Sequence, residues 1–138
     1  MVRLFFGDDT FTIQETLSSM KKQVGATDLH DVNTTVLEGS RARFDLLVAT
    51  CDTVPFLSKK RLVIVQGLLS LFERSVPSQA RSGGSRQQPR SMGEWERLPQ
   101  YLSGVPESTD LVFVDGPLSA TNPLLKTIRP HTKVRTFP

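Results

Sequence analysis

Two short runs limit what this chain can become: "RLVIV", Arg61 to Val65, and "DLVFV", Asp110 to Val114. Each is apolar, rich in β-branched residues and of strand length, and a glycine follows within two residues. A strand that is apolar at successive positions must be covered on both faces. That is the condition of a parallel sheet held between layers of helix. "VRLFF", Val2 to Phe6, is a third run of this kind; "TTVL", Thr34 to Leu37, is weaker, and "KVRTF", Lys133 to Phe137, is a last strand.

Helical patterns fall between these strands. Ile13, Leu17, Met20 and Val24 recur at helical spacing, and Thr12 with Glu15 reads as a capping box. After Gly39, Ser40 is placed to cap a helix whose Phe44, Leu47, Val48 and Cys51 share one face and which stops before Pro55. Leu98 to Leu102 suits a short helix with Pro99 in its first turn, and Asn122 caps another with Pro123 at its first position. Regular alternation of strand and helix predicts an α/β fold: a three-layer sandwich around a five-stranded parallel sheet, joined by right-handed crossovers. At 138 residues and 38% hydrophobic, residues 1–138 make one domain. The stretch Glu73 to Glu96 is rich in Ser, Gly, Pro, Gln and Arg and poor in apolar residues, so residues 73–97 are expected to be a flexible insertion. Trp95 at its end is expected to pack over the sheet edge.

In such folds ligands sit at the carboxyl ends of strands, where "FFGDDTFTIQ" places a glycine turn between strand and helix. A phosphate loop reads G-x-x-x-x-G-K-[ST], because bare amides must approach the phosphate, a lysine must balance it and a hydroxyl must hold magnesium. Counted from Gly7, those roles fall to Thr12, Ile13 and Gln14, none of which can fill them. Asp8 and Asp9 add negative charge where a triphosphate would lie. The third strand ends in Gln66 and Gly67 without the acid that a hydrolysing relative uses for magnesium, and Asp115 precedes Gly116 and Pro117 as part of a turn. The nucleotide site is degenerate on this reading. Two other functions fit fragments of the pattern. A receiver-type, magnesium-dependent phosphoacceptor would use Asp8 and Asp9 but lacks an aspartate at Gln66. A basic nucleic-acid-binding module would use the +3 charge and the pI near 9.4.

No run approaches eighteen apolar residues and no charged segment leads into an apolar one at the start, so neither a membrane span nor a secretion signal is expected. One cysteine, Cys51, forms no internal disulfide, which agrees with a cytoplasmic protein. His30, His131 and Cys51 have no metal-ligand spacing, and neither metal nor cofactor is expected. Arg74, Arg81, Arg86 and Arg90 run through the insertion without an acid between them; they read as a solubilising stretch rather than a phosphate track.

"LFFGDDTFTIQETL", "TVPFLSKKRLVIVQG" and "LPQYLSGVPESTDLVFVDGPLSATNPLLKTI", in this order, resemble the N-terminal domain of the DNA polymerase III delta subunit of the bacterial clamp loader. The resemblance implies a P-loop NTPase-like fold of the AAA+ type with no nucleotide chemistry of its own, in a subunit of the DNA-directed DNA polymerase holoenzyme. It implies binding and opening of the sliding clamp, the beta subunit, during DNA replication. Other loader subunits would be met through a second domain and a collar domain that this chain does not reach, and DNA only through the complex. On the family's pattern the clamp-binding wedge falls on Pro55, Phe56 and Leu57. Composition alone would put both large side chains in the core. Lys59, Lys60 and Arg61 would then face an acidic clamp rim or DNA, unless they are simply a solvated edge.

Overall fold

The structure, a computed structural model, describes residues 2–22, 33–54, 60–72 and 93–137. β1 (Val2–Phe6), β2 (Thr34–Glu38), β3 (Arg61–Gln66), β4 (Thr109–Asp115) and β5 (Lys133–Thr136) form one sheet, parallel throughout, in the order β2-β3-β4-β1-β5. The three most apolar runs are the three inner strands. β2 and β5, with fewer apolar residues, take the edges, where one flank needs no partner. This order separates the chain from the receiver reading, whose flavodoxin-like sheet runs 2-1-3-4-5 and puts β1 beside β2. Here β1 lies between β4 and β5.

Side chains leave the inner strands alternately. Phe5, Leu62, Ile64, Val112 and Val114 go to one face, where they meet Ile13 and Leu17 of α1 (Thr10–Lys22). Leu4, Val63, Val65, Leu111 and Phe113 go to the other, under α2 (Phe44–Asp52), α3 (Leu98–Leu102) and α4 (Pro123–Ile128). A short 3-10 helix, Leu69–Phe72, lies on that second face with Leu68, Leu69 and Phe72 fully buried. Sequence reading passed over it. The signal was the apolar run "LLSLF" between Gly67 and the polar stretch.

Three local expectations are corrected. α1 begins at Thr10 and is capped by Asp9, whose carboxylate accepts from the Thr12 amide at 3.1 Å and the Thr12 hydroxyl at 2.7 Å. Thr12 therefore serves as a donor inside the first turn, and there is no Thr12–Glu15 box. α2 is preceded by Arg43 rather than capped by Ser40, and its first amide, Phe44 N, donates to the Glu94 carboxylate at 2.9 Å. A cap supplied from fifty residues away leaves no local trace. Finally Gly93–Arg97, counted with the flexible insertion, form a 3-10 helix. Trp95 is buried there, edge-on to Phe44 with centroids 6.0 Å apart, so it packs on α2 rather than over a sheet edge. The rest of the insertion, residues 73–92, lies outside the described residues.

Asn122 does more than cap. Its Oδ1 accepts from Leu124 N and Leu125 N at 3.0 and 3.1 Å, while its Nδ2 donates to the carbonyl of Leu69 at 2.9 Å, and the side chain is buried. It thereby joins α4 to the 3-10 helix after β3. Asn122→Ala removes a cap and strands a buried carbonyl, and is expected to cost about 2–4 kcal/mol in urea unfolding. Asn122→Asp keeps the cap acceptor but turns a second oxygen toward the buried Leu69 carbonyl, so it should not restore the parent's stability.

Candidate functional site

The carboxyl ends of the strands, where an α/β sheet holds its ligands, are closed by the chain itself. Gly39 N donates to Gln66 O (2.7 Å), Gly67 N to Val114 O (2.9 Å), Gly7 N to Gly116 O (3.3 Å) and Phe137 N to Phe6 O (2.8 Å). These bonds carry the sheet ladder one step past the strands. Between Phe6 and Thr10 only Gly7, Asp8 and Asp9 remain, too few residues to wrap a phosphate. Asp9 N donates to the Phe137 carbonyl at 2.9 Å. Gly7 has φ 142°, and a Cβ on it would stand 2.2 Å from that same carbonyl oxygen. The space a phosphate would need is filled by the end of β5.

Of the positions assigned to lost phosphate chemistry, Thr12 holds Asp9, Ile13 is buried in the α1 face of the core, and Gln14 is exposed beside a cleft. That cleft, about 230 Å3, is lined by Thr10, Gln14, Gln66, Ser70 and Asp115 among others. It is smaller than most small-molecule sites. Asp115 is buried, which the turn reading missed. Its oxygens accept from Leu69 N and Ser70 N, each at 3.1 Å, and from the Ser70 hydroxyl, so it caps Leu69–Phe72. Among the described residues no group of three or more His, Cys, Asp or Glu could hold a metal ion. Cys51 is no nucleophile: burial pushes its thiol up to about 12.

The stretch carrying Pro55, Phe56, Leu57 and Lys59 lies outside the described residues; its two stems do not. On the near side Thr109 Oγ1 donates to the Cys51 carbonyl at 2.6 Å, and the Tyr101 hydroxyl donates to Asp52 at 2.7 Å. On the far side Arg61 N donates to Ser108 O and Lys60 Nζ to Glu107 O, both at 2.7 Å. Both stems are therefore fastened to one turn, residues 107–109. Of the three expected cations, Lys60 also lies 3.8 Å from Asp110, and Arg61 is half-buried with its guanidinium on the Thr35 hydroxyl at 3.2 Å. These two are tied into the fold. Val54, where the chain enters the stretch, is 78% exposed, and Leu46 on the outer side of α2 is exposed as well.

Two measurements follow from the closed turn. Gly7→Ala is expected to destabilise by more than the ~1–3 kcal/mol of backbone strain alone, because its methyl group meets backbone rather than a movable side chain. Chemical denaturation would measure this, and titration calorimetry of the parent with ATP and magnesium should give no heat of binding. Asp9 offers a test in pH. Its two bonds from Thr12 hold its carboxyl below the ordinary 3.8, so its stabilising effect is present above that pH and is lost as pH falls through and below it. Asp9→Asn still caps but does not titrate. The melting temperatures of parent and variant should therefore change relative to each other only in that acid range.

Comparison with known proteins agrees with this geometry. The sequence model of the family described as "DNA polymerase III, delta subunit" matches residues 4–137. The DNA polymerase III subunit delta of Bacillus subtilis (strain 168) is 32% identical over 65 residues, which are 47% of this chain and 19% of that protein. Among solved structures, the Bacillus subtilis DNA clamp loader delta protein superposes with a TM-score of 0.72 at 22% identity, over 99% of this chain and 38% of the other. The last likeness speaks for the fold, and the chain spans well under half the length of either protein. With the family pattern running from Leu4 to Phe137, across every described strand, the chain belongs to the DNA polymerase III delta subunit family.

Proposed function

We propose that this domain grips the sliding clamp and helps open it during clamp loading, working through protein contact and without hydrolysing ATP. Membership of the family over residues 4–137 is the observation that carries the reading. The closed turn at Gly7 supports its second half: a P-loop-like layout whose phosphate space is filled by Phe137 has a scaffold to offer and no nucleotide chemistry. Phe56 and Leu57, shaped by Pro55, are the wedge. They stand on a stretch that begins at the exposed Val54 and whose stems are both held by residues 107–109. An aromatic and an aliphatic side chain entering a preformed pocket suffice for a small hot spot. Lys59 adds charge toward an acidic rim. Other loader subunits are met through parts of the protein beyond this domain.

The double variant Phe56→Ala/Leu57→Ala separates this reading from a core role. As a wedge, it should keep the parent's melting temperature and lose about 30- to 1000-fold in affinity for the clamp of the same organism, the weight of one hot-spot side chain or more. As core residues, the pair would cost about 2–5 kcal/mol each, and the folded fraction would still bind the clamp. Surface plasmon resonance and thermal melts on the same sample decide.

A further inference from the structure

Helix α2 leads into the stretch that carries Phe56 and Leu57, and little in α2 itself keeps it helical. Its nine residues fall short of the roughly 12–15 that an isolated helix needs, and Val48, Thr50 and Asp52 are weak helix formers. Arg43 gives its start no side-chain cap, and Asp52 puts an acid at the end where the helix dipole favours a base. Both ends are answered from Gly93–Arg97 and α3. Glu94 brings a carboxylate to the Phe44 amide at 2.9 Å, the sign of charge that suits a helix start, and the Tyr101 hydroxyl donates to Asp52 at 2.7 Å. Phe44 itself is gripped on three sides. Trp95 and Tyr101 stand edge-on to its ring, with centroids at 6.0 and 6.1 Å, and the Arg97 guanidinium lies 4.8 Å from its centre. Trp95, Leu98 and Leu102 sink the same segment into the core, so the two ties lead back to fixed ground.

Burial of Phe44, Leu47 and Cys51 holds α2 against the sheet without help from its ends. Glu94 and Asp52 are exposed, and bonds at exposed ends add little to global stability. What they decide is where the helix ends lie. Val54, 78% exposed, stands two residues beyond Asp52. Taking Phe56 and Leu57 as the clamp wedge, on which this inference rests, we propose that Glu94 and Tyr101 are its positioning residues: by tying α2 at start and end they fix the point from which the wedge is presented. The wedge is then in place before the clamp arrives. A looser α2 lowers the fraction of molecules competent to bind and leaves the complex, once formed, unaltered.

Surface plasmon resonance on the clamp of the same organism separates presentation from contact. Glu94→Ala/Tyr101→Phe removes both ties and keeps an aromatic ring against Phe44. It should bind about three- to tenfold more weakly, with the whole loss in a slower association rate and the parent's dissociation rate retained. Hydrogen exchange on the free chain should show the α2 amides exchanging faster while those of β3 and β4 keep the parent's rates. Glu94→Gln, which can still accept from the Phe44 amide, should restore most of what Glu94→Ala loses. If the double variant melts early, Tyr101→Phe alone takes its place, with the same pattern expected. Parent affinity in the tie variant, unchanged exchange in α2, or a faster dissociation rate would each overturn the proposal; the last would make the two residues clamp contacts instead. Phe56→Ala/Leu57→Ala, run beside it, keeps the two readings apart. If that variant binds weakly and the tie variant does not, the positioning role alone fails. If it binds like the parent, or the parent itself has no affinity for the clamp, the wedge reading fails and the positioning role with it.

Discussion

One backbone carbonyl governs the carboxyl end of the sheet. The oxygen of Phe137 receives the Asp9 amide and occupies the place where a side chain on Gly7 would go. An NTPase of this layout needs the turn after β1 to stand away from the sheet, so that its amides converge on a phosphate. Here the last strand runs on past β1 and draws the turn down. Helix α1 then starts after only three intervening residues, its dipole answered by Asp9. Lateral hydrogen bonds at Gly39, Gly67 and Gly7 continue the same closure across the sheet.

The architecture was readable because its causes are local. Apolar runs that must be buried on both faces announce inner strands, and their alternation with helical spacing announces crossovers. Pro123 after Asn122 and Pro99 after Leu98 mark helix starts through fixed φ and a missing amide proton. Caps were misread wherever the partner came from elsewhere. Glu94 reaches Phe44 N across fifty residues, and nothing near Ser40 or Arg43 betrays it. At α1 two neighbouring candidates competed, and the carboxylate of Asp9 accepts more strongly than the hydroxyl of Thr12.

The candidate site divides along similar lines. Phosphate chemistry demands particular groups at fixed spacing, so their absence from Thr12, Ile13 and Gln14 can be read from the sequence itself. Asp115 and Asn122 were not recognised as one buried network, since their meeting point, the Leu69–Phe72 turn, is set by the tertiary fold. For Phe56 and Leu57 physics alone favoured the core; only resemblance to a family of known role pointed outward. Lys60 and Arg61 show the limit of reading a charge run as a surface: one leans on Glu107 and the other on Thr35.

The anchoring of Phe72 and Trp95 bears on how this domain can vary. Both flanks of residues 73–92 end in side chains sunk into the same core cluster, and Glu94 adds a hydrogen bond to α2 just inside the second flank. Closing a chain between two fixed posts grows costlier only with the logarithm of its length, roughly 0.6 kcal/mol for each doubling. Phe72 and Trp95 are held by the core cluster on either side of that segment, so its length enters their closure only through this slowly growing term. On closure entropy alone, a segment of twice the length exchanged there would cost the fold only about that 0.6 kcal/mol.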